Sequence, residues 1–292
     1  VGLMAIWSDP LLPKLIPPDD LKKQWFQLGS AKFQLLPHQW QFLAAKEEEV
    51  CSVGGYGSAK TFGGVLKVAH LAMYPNNRGI VGRFAATDLE ETTQRDLLDF
   101  LHSAELLHTA PNQKTKKALV HCVDPVTQRN LGYQSEISFQ HMDDPKHLRG
   151  RHIGYYWIDE ASEVHPDAKK NLDGRTRWKV FAGRYQKLFT GNPEGHNYLY
   201  HRYFNEEEIK KIICGHPECT LSHEQCNIKQ RLKRRGIHAR TFDNYFLPQD
   251  YIEGMLSSYT PMERQRYMDG SFDIFEGAAF REFDRDLHIL PV

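Results

Sequence analysis

Short apolar stretches recur along the chain, each closed by glycine or polar residues. They are VCSV (50–53), GIVGRF (79–84), KALVHCV (117–123), EISFQHM (136–142), GYYWID (154–159) and YQKLFTG (185–191). Their length and their β-branched and aromatic content predict strands. Apolar residues fall instead at helical spacing in LPHQWQFLAAKEEE (36–49), KTFGGVLKVAHLAMY (60–74) and TDLEETTQRDLLDFLHSAEL (87–106), which predicts helices. Strands alternating with helices indicate an α/β domain: a mostly parallel central sheet flanked by helices. The stretch PQDYIEGMLSSYTPMERQRYMDGSF (248–272) predicts two short helices broken at Pro261, forming a small helical lid subdomain. The opening 30 or so residues, with Pro10, Pro13, Pro17 and Pro18, read as an extended arm or docking segment. The expected organisation is an arm over 1–32, a core over 33–205, an insertion over 206–240, the lid over 241–275 and a linker over 276–292. No internal repeat or low-complexity linker divides it.

Composition adds limits rather than a function. With 292 residues, 40% of them hydrophobic, the chain can bury one large core. Its 37 basic and 37 acidic side chains cancel, so a nucleic acid would have to meet a local basic surface. No apolar run is long enough to span a bilayer, and five cysteines do not suggest a disulfide framework. A soluble protein of a reducing, intracellular compartment is expected.

The chemistry concentrates in four short segments. CSVGGYGSAKTFGG (51–64) is close to a phosphate-binding loop, in which backbone N–H groups at a helix start curl around phosphate oxygens. Gly54, Gly55 and Gly57 supply flexibility, Ser58 and Ala59 complete the loop, Lys60 reaches the outer phosphates, and Thr61 ligates Mg²⁺. Ala59 stands in place of the motif's last glycine. If that position already lies in the first helical turn, its φ is negative and a Cβ is tolerated. GYYWIDEASEV (154–164) is a strand ending in adjacent carboxylates: Asp159 to hold the metal, Glu160 to polarise an attacking water. LFTGNPEG (188–195) ends a further strand in Thr190 and Asn192, placed to sense the γ-phosphate from the ligand crevice. In LPHQ (36–39), Gln39 can pair with an adenine edge.

Together PHQ, GGYGSAKT, LRGR before YYWIDEA, TGNP and the tail YMDGSFDIFEGAAFREFDRDLHIL resemble the ATPase region of bacteriophage large terminases. The resemblance runs from about residue 33 to the end. Ala59 departs from the family's usual glycine, and Gly191 stands where serine or alanine is frequent. The resemblance implies a P-loop NTPase of the additional-strand type, with ATP and Mg²⁺ as cofactors. It further implies double-stranded DNA, a portal protein and a small terminase subunit as partners, a homo-oligomeric ring (usually a pentamer), and the host bacterial cytoplasm as location. An arginine before the acidic strand would act across the subunit boundary; HLRGRH offers Arg149 and Arg151, with Arg149 preferred. The join to a nuclease domain falls at the chain's end, so this is expected to be the motor half, without nuclease activity. A helicase-like relative, or a nucleotide-gated zinc and DNA-binding module without hydrolysis, are the alternatives.

One cluster lies outside these motifs. Cys214, Cys219, His223 and Cys226, with His216 in reserve, are a donor set suited to tetrahedral Zn²⁺, although the spacing matches no standard finger. Lys229, Arg231, Lys233, Arg234 and Arg235 follow it closely and could contact a DNA backbone.

Overall fold

The computed structural model describes residues 3–5, 18–112, 114–124, 127–144, 152–179, 185–205 and 234–272. Its centre is an eight-stranded sheet. The strands are β4 (Glu49–Gly54), β5 (Arg78–Arg83), β6 (Leu107–Thr109), β7 (Lys117–Val123), β8 (Asn130–His141), β9 (Tyr155–Ile158), β10 (Gln186–Gly191) and β11 (Arg234–Ala239). They lie in the order β11-β4-β10-β9-β5-β8-β7-β6. All neighbours from β11 to β8 are parallel, whereas β7 pairs antiparallel with both β8 and β6. β10 sits between the phosphate-loop strand β4 and the acidic strand β9. That inserted strand is the additional strand expected from the resemblance.

Every residue of β4, β9 and β10 is buried, as a parallel sheet covered on both faces requires. Side chains alternate between two cores. Tyr155 and Trp157 join the cluster that holds α2 (Pro37–Ala44), α3 (Lys60–Ala72) and α5 (Arg95–Ser103). Tyr156 and Ile158 join the opposite cluster, with Ala168 and Leu172 of α6 (Pro166–Asp173). A two-residue side-chain period on the strand thus distributes one segment between both layers. Glycine permits α3 to approach the sheet closely: a Cβ on Gly64 would lie 2.3 Å from the Trp157 ring.

The segment read as an extended arm is in part structure. β1 (Leu3–Ala5), β2 (Trp25–Leu28) and β3 (Ala31–Phe33) form a second small sheet, and α1 spans Pro18–Leu21. Leu21, Phe26 and Leu28 are fully buried in the first core cluster, so apolar burial docks the end of that segment onto the core. The end of the expected insertion moves likewise. Residues 234–239 are β11, paired in register with β4, and two of the five basic residues read as DNA contacts are engaged there. Arg234 Nε lies 3.5 Å from Glu49 and Arg235 Nη1 lies 3.8 Å from Glu47.

The lid comprises α7 (Gln249–Ser258) and α8 (Pro261–Tyr267). Thr260 caps α8, accepting from the Glu263 N–H while Glu263 accepts from the Thr260 N–H. That capping box and Pro261 account for the break read from the sequence. Among the described residues, no helix is long and apolar enough to cross a membrane.

Candidate active site

Four parallel strands bring their carboxyl ends to one edge of the sheet, where ligands of open α/β sheets bind. β4 delivers the glycine loop, β9 delivers Asp159 and Glu160, β10 delivers Thr190, and β5 delivers Arg83. α3 begins at Lys60, directly after the loop, so its N-terminal dipole faces the same space.

Ala59 does not lie in the helical turn as expected. It is the residue before α3, with φ 60° and ψ 29°, in the left-handed region. Gly57 is also left-handed, at φ 71°. The alanine therefore occupies the conformation for which the motif's glycine is suited, at a cost of about 1 kcal/mol. Ala59→Gly is expected to stabilise the fold modestly, since relief of that strain exceeds the added unfolded-state freedom. A thermal melt should show a rise of about 1–3 °C; a fall would mean that the loop does not hold Ala59 left-handed in solution.

Asp159 is 2% exposed and accepts from three hydroxyls. Thr190 Oγ1 donates to Oδ1 at 2.6 Å, Thr93 Oγ1 to Oδ2 at 2.6 Å, and Thr61 Oγ1 to Oδ1 at 3.4 Å. Trp157 Nε1 in turn donates to Thr190 Oγ1 at 2.7 Å. Thr190 is thus a brace for Asp159 within this arrangement. Glu160 adopts a left-handed backbone, φ 45°, and its Oε2 accepts from the Asn192 backbone N–H at 3.3 Å and from Nδ2 at 3.1 Å. Burial pushes the Glu160 carboxyl above the usual range, opposed by Lys60. Burial pushes the Lys60 ammonium down, against the pull of Glu160 and Asp159. The oxygen donors of Thr61 and Asp159 fit Mg²⁺, a hard cation that retains several of its own waters.

Gln39 is placed otherwise than expected for an adenine reader. Its Nε2 donates to Ala59 O at 2.9 Å and its Oε1 accepts from Leu36 N at 3.0 Å, so both ends of the amide are engaged inside the protein. Gly54 ends β4, and Gly55 and Ser58 follow in the loop, with the Ser58 hydroxyl donating to Gly55 O at 2.7 Å. Arg149, Arg151 and the Cys214, Cys219, His223, Cys226 cluster lie outside the described residues. Among the described residues, no cluster of three or more His, Cys, Asp or Glu side chains suits a metal. The two described cysteines, Cys51 and Cys122, are free and buried in strands.

Two polar residues of the site escaped the sequence reading. Arg83 ends β5; its Nη1 donates to Thr92 at 2.8 Å, and its charge acts on both Lys60 and Glu160. The rule that exposed Thr190, a polar residue at the carboxyl end of a core strand, would have exposed Arg83 too. Thr93 had no such signal. It lies in a π-helical turn, Leu89–Gln94, set between Ala86–Asp88 (α4) and α5. The wider turn brings Thr93 onto Asp159, as π turns at functional sites commonly re-aim a side chain.

The PBSX phage terminase large subunit of Bacillus subtilis (strain 168) is 28% identical over 213 residues, covering 72% of this chain and 46% of that protein. The chain thus spans less than half the length of that curated relative. The large terminase of a thermophilic bacteriophage has a similar fold: TM-score 0.64 at 16% identity, over 89% of this chain and 59% of that one. The ATPase domain of the Thermus phage P74-26 large terminase gives a TM-score of 0.55 at 16% identity, over 80% of this chain and 92% of that domain. A family-wide sequence match spans residues 46–268, and so takes in the glycine loop, the acidic strand and the lid together. By that match, the chain belongs to the phage terminase large subunit family.

Proposed function

We propose that this chain is the ATP-hydrolysing motor of viral DNA packaging, coupling hydrolysis to translocation of double-stranded DNA into a procapsid. The observation that carries this reading is the meeting of Lys60, Thr61, Asp159 and Glu160 at one sheet edge, with Asn192 gripping Glu160. A binding module without hydrolysis has no need of a buried carboxylate so held. A large terminase of similar fold has been crystallised with ADP, which supports a nucleotide as the ligand.

In this reading the loop's N–H groups and Lys60 bind the phosphates. Glu160, kept in place by Asn192, takes the proton of the attacking water. Thr61 and Asp159 hold Mg²⁺, which would offset charge on the phosphate oxygens. Asn192 follows β10, so a change at Glu160 on loss of the γ-phosphate reaches that strand's end. Arg149 acts from a neighbouring subunit of a ring, with the portal and small terminase subunit as further partners. Zn²⁺ at the Cys214 cluster remains an independent element of the proposal, checked by metal analysis of protein purified without chelator.

The direct test is ATP hydrolysis measured against protein concentration, with and without duplex DNA. Specific activity should rise steeply with concentration, because a trans-acting arginine needs a neighbour. Flat specific activity would remove the trans arginine, and absent hydrolysis by concentrated wild-type protein on DNA would remove the motor reading.

A further inference from the structure

Four consecutive carbonyls of the phosphate loop are each held by a side chain from elsewhere in the sequence. Thr241 Oγ1 donates to Tyr56 O at 2.7 Å, and Asn244 Nδ2 donates to Gly57 O at 2.6 Å. His38 Nε2 donates to Ser58 O at 2.7 Å, and Gln39 Nε2 donates to Ala59 O at 2.9 Å. All four donors are buried, Thr241 completely. A carbonyl can only accept, so His38 must carry its proton on Nε2, and burial pushes its pKa down toward the neutral ring.

The consequence follows from peptide geometry. In a planar trans peptide the C=O of one residue and the N–H of the next point in opposite directions. Tying down the carbonyls of 56–59 therefore fixes the directions of the following N–H groups as well; that of Ser58 donates to Gly55 O at 3.3 Å, and those of Gly57, Ala59 and Lys60 are held in set directions from which an anion-binding loop can be built. The same restraint explains how Ala59 is kept left-handed, since both its carbonyl and that of Ser58 are fixed.

The clamps come from two places. His38 and Gln39 belong to α2, within the body of the domain. Thr241 and Asn244 belong to the turn between β11 and the lid helices. The lid touches the loop twice more. The Tyr56 N–H donates to Tyr267 O at 2.7 Å, at the end of α8. The rings of Tyr56 and Tyr267 stack at 5.0 Å and 10°.

We propose that Thr241 and Asn244 are positioning residues for a nucleotide's polyphosphate. They tie the phosphate loop to the lid, so that lid position sets the loop's affinity for phosphate and phosphate occupancy sets lid position. By linkage the two effects are equal in free energy. The inference rests on the nucleotide-site reading above but not on hydrolysis.

Thr241→Val keeps the shape and deletes the donor, leaving a loop carbonyl without its buried partner. Calorimetry with Mg-ADP should show Kd raised about tenfold, and Thr241→Ser, which keeps the hydroxyl, should restore it. For ATP turnover, KM should rise while kcat stays within about twofold, since uniform binding is lost and the water-activating group is untouched. Hydrogen exchange provides the readout of coupling. Mg-ADP should slow exchange of lid amides 249–267 in the wild type, and Thr241→Val should remove that protection. Should Thr241→Val not fold, Asn244→Leu deletes the Gly57 clamp instead and should raise Kd similarly.

Unchanged Mg-ADP affinity in a folded clamp variant, or a wild-type lid whose exchange ignores Mg-ADP, would overturn the proposal. Wild-type protein that binds Mg-ADP but never hydrolyses ATP would sink the motor reading and leave this one standing.

Discussion

Glu160→Gln is expected to lower ATP turnover by about 10²–10⁴-fold, the usual contribution of a positioned general base, while nucleotide affinity stays near that of the wild type. The glutamine carbonyl can still accept from Asn192, so the side chain's anchoring at 3.1 Å survives and only the proton acceptor is lost. Since burial holds the Glu160 carboxyl above its ordinary value of 4.5, the carboxylate forms only above that pH. The acid limb of the wild-type rate should therefore lie higher than for an exposed glutamate, with turnover rising as pH rises through it. Steady-state hydrolysis across pH, beside Mg-ADP calorimetry, checks both points. Turnover within about threefold of wild type would place the base elsewhere, and equal loss of binding would make Glu160 a structural residue.

The second large effect lies at the opposite end of β4. Glu49 is 5% exposed and its carboxylate is shared by groups from four other elements. Arg202 donates twice at 2.7 Å, Tyr203 once at 2.9 Å, and Lys169 lies at 3.3 Å, Arg234 at 3.5 Å and Lys187 at 3.8 Å. Burial alone would raise the Glu49 pKa, but the Arg202 hydrogen bonds and the surrounding cations hold it down at about 2. Glu49→Gln leaves those cations around a neutral amide and should cost about 3–5 kcal/mol, the toll of breaking a buried ion pair. Because the folded pKa is lowered, the carboxylate's contribution is complete above pH 4.5 and is lost as pH falls from there toward 2. Urea unfolding at pH 7 should show the full gap between the two proteins, and unfolding near pH 3 a smaller one. A gap under about 1 kcal/mol at pH 7 would mean that the network is solvated and contributes little.

These two glutamates mark different degrees of legibility. The placement of Glu160 could be read from the chain because it needs only local context: an apolar strand closed by an aspartate and a second carboxylate. Glu49 could not, because nothing beside it in the chain announces burial. Its partners lie 120 to 185 positions away and meet it only when β4 packs with β10, β11, α6 and the π-helical turn Tyr200–Phe204. Ala59 falls between the two. Its place in the loop was plain, but its φ is decided by clamps from α2 on the Ser58 and Ala59 carbonyls, so the negative φ expected from the motif alone was wrong.

Local sequence was enough to place most elements in order and by type, together with the glycine loop and the acidic pair with its neighbours on β10. Hydrophobic period and short motifs are local quantities, and they survive folding unchanged. Packing between distant segments set β10 between β4 and β9, brought Leu21, Phe26 and Leu28 into the core, and turned Arg234 and Arg235 to carboxylates. It alone placed Thr93 on Asp159, turned Gln39 to the loop and joined the lid to the phosphate nest. Each of these depends on which distant groups share a low-dielectric space, where an unpartnered donor or charge costs more than it does in water.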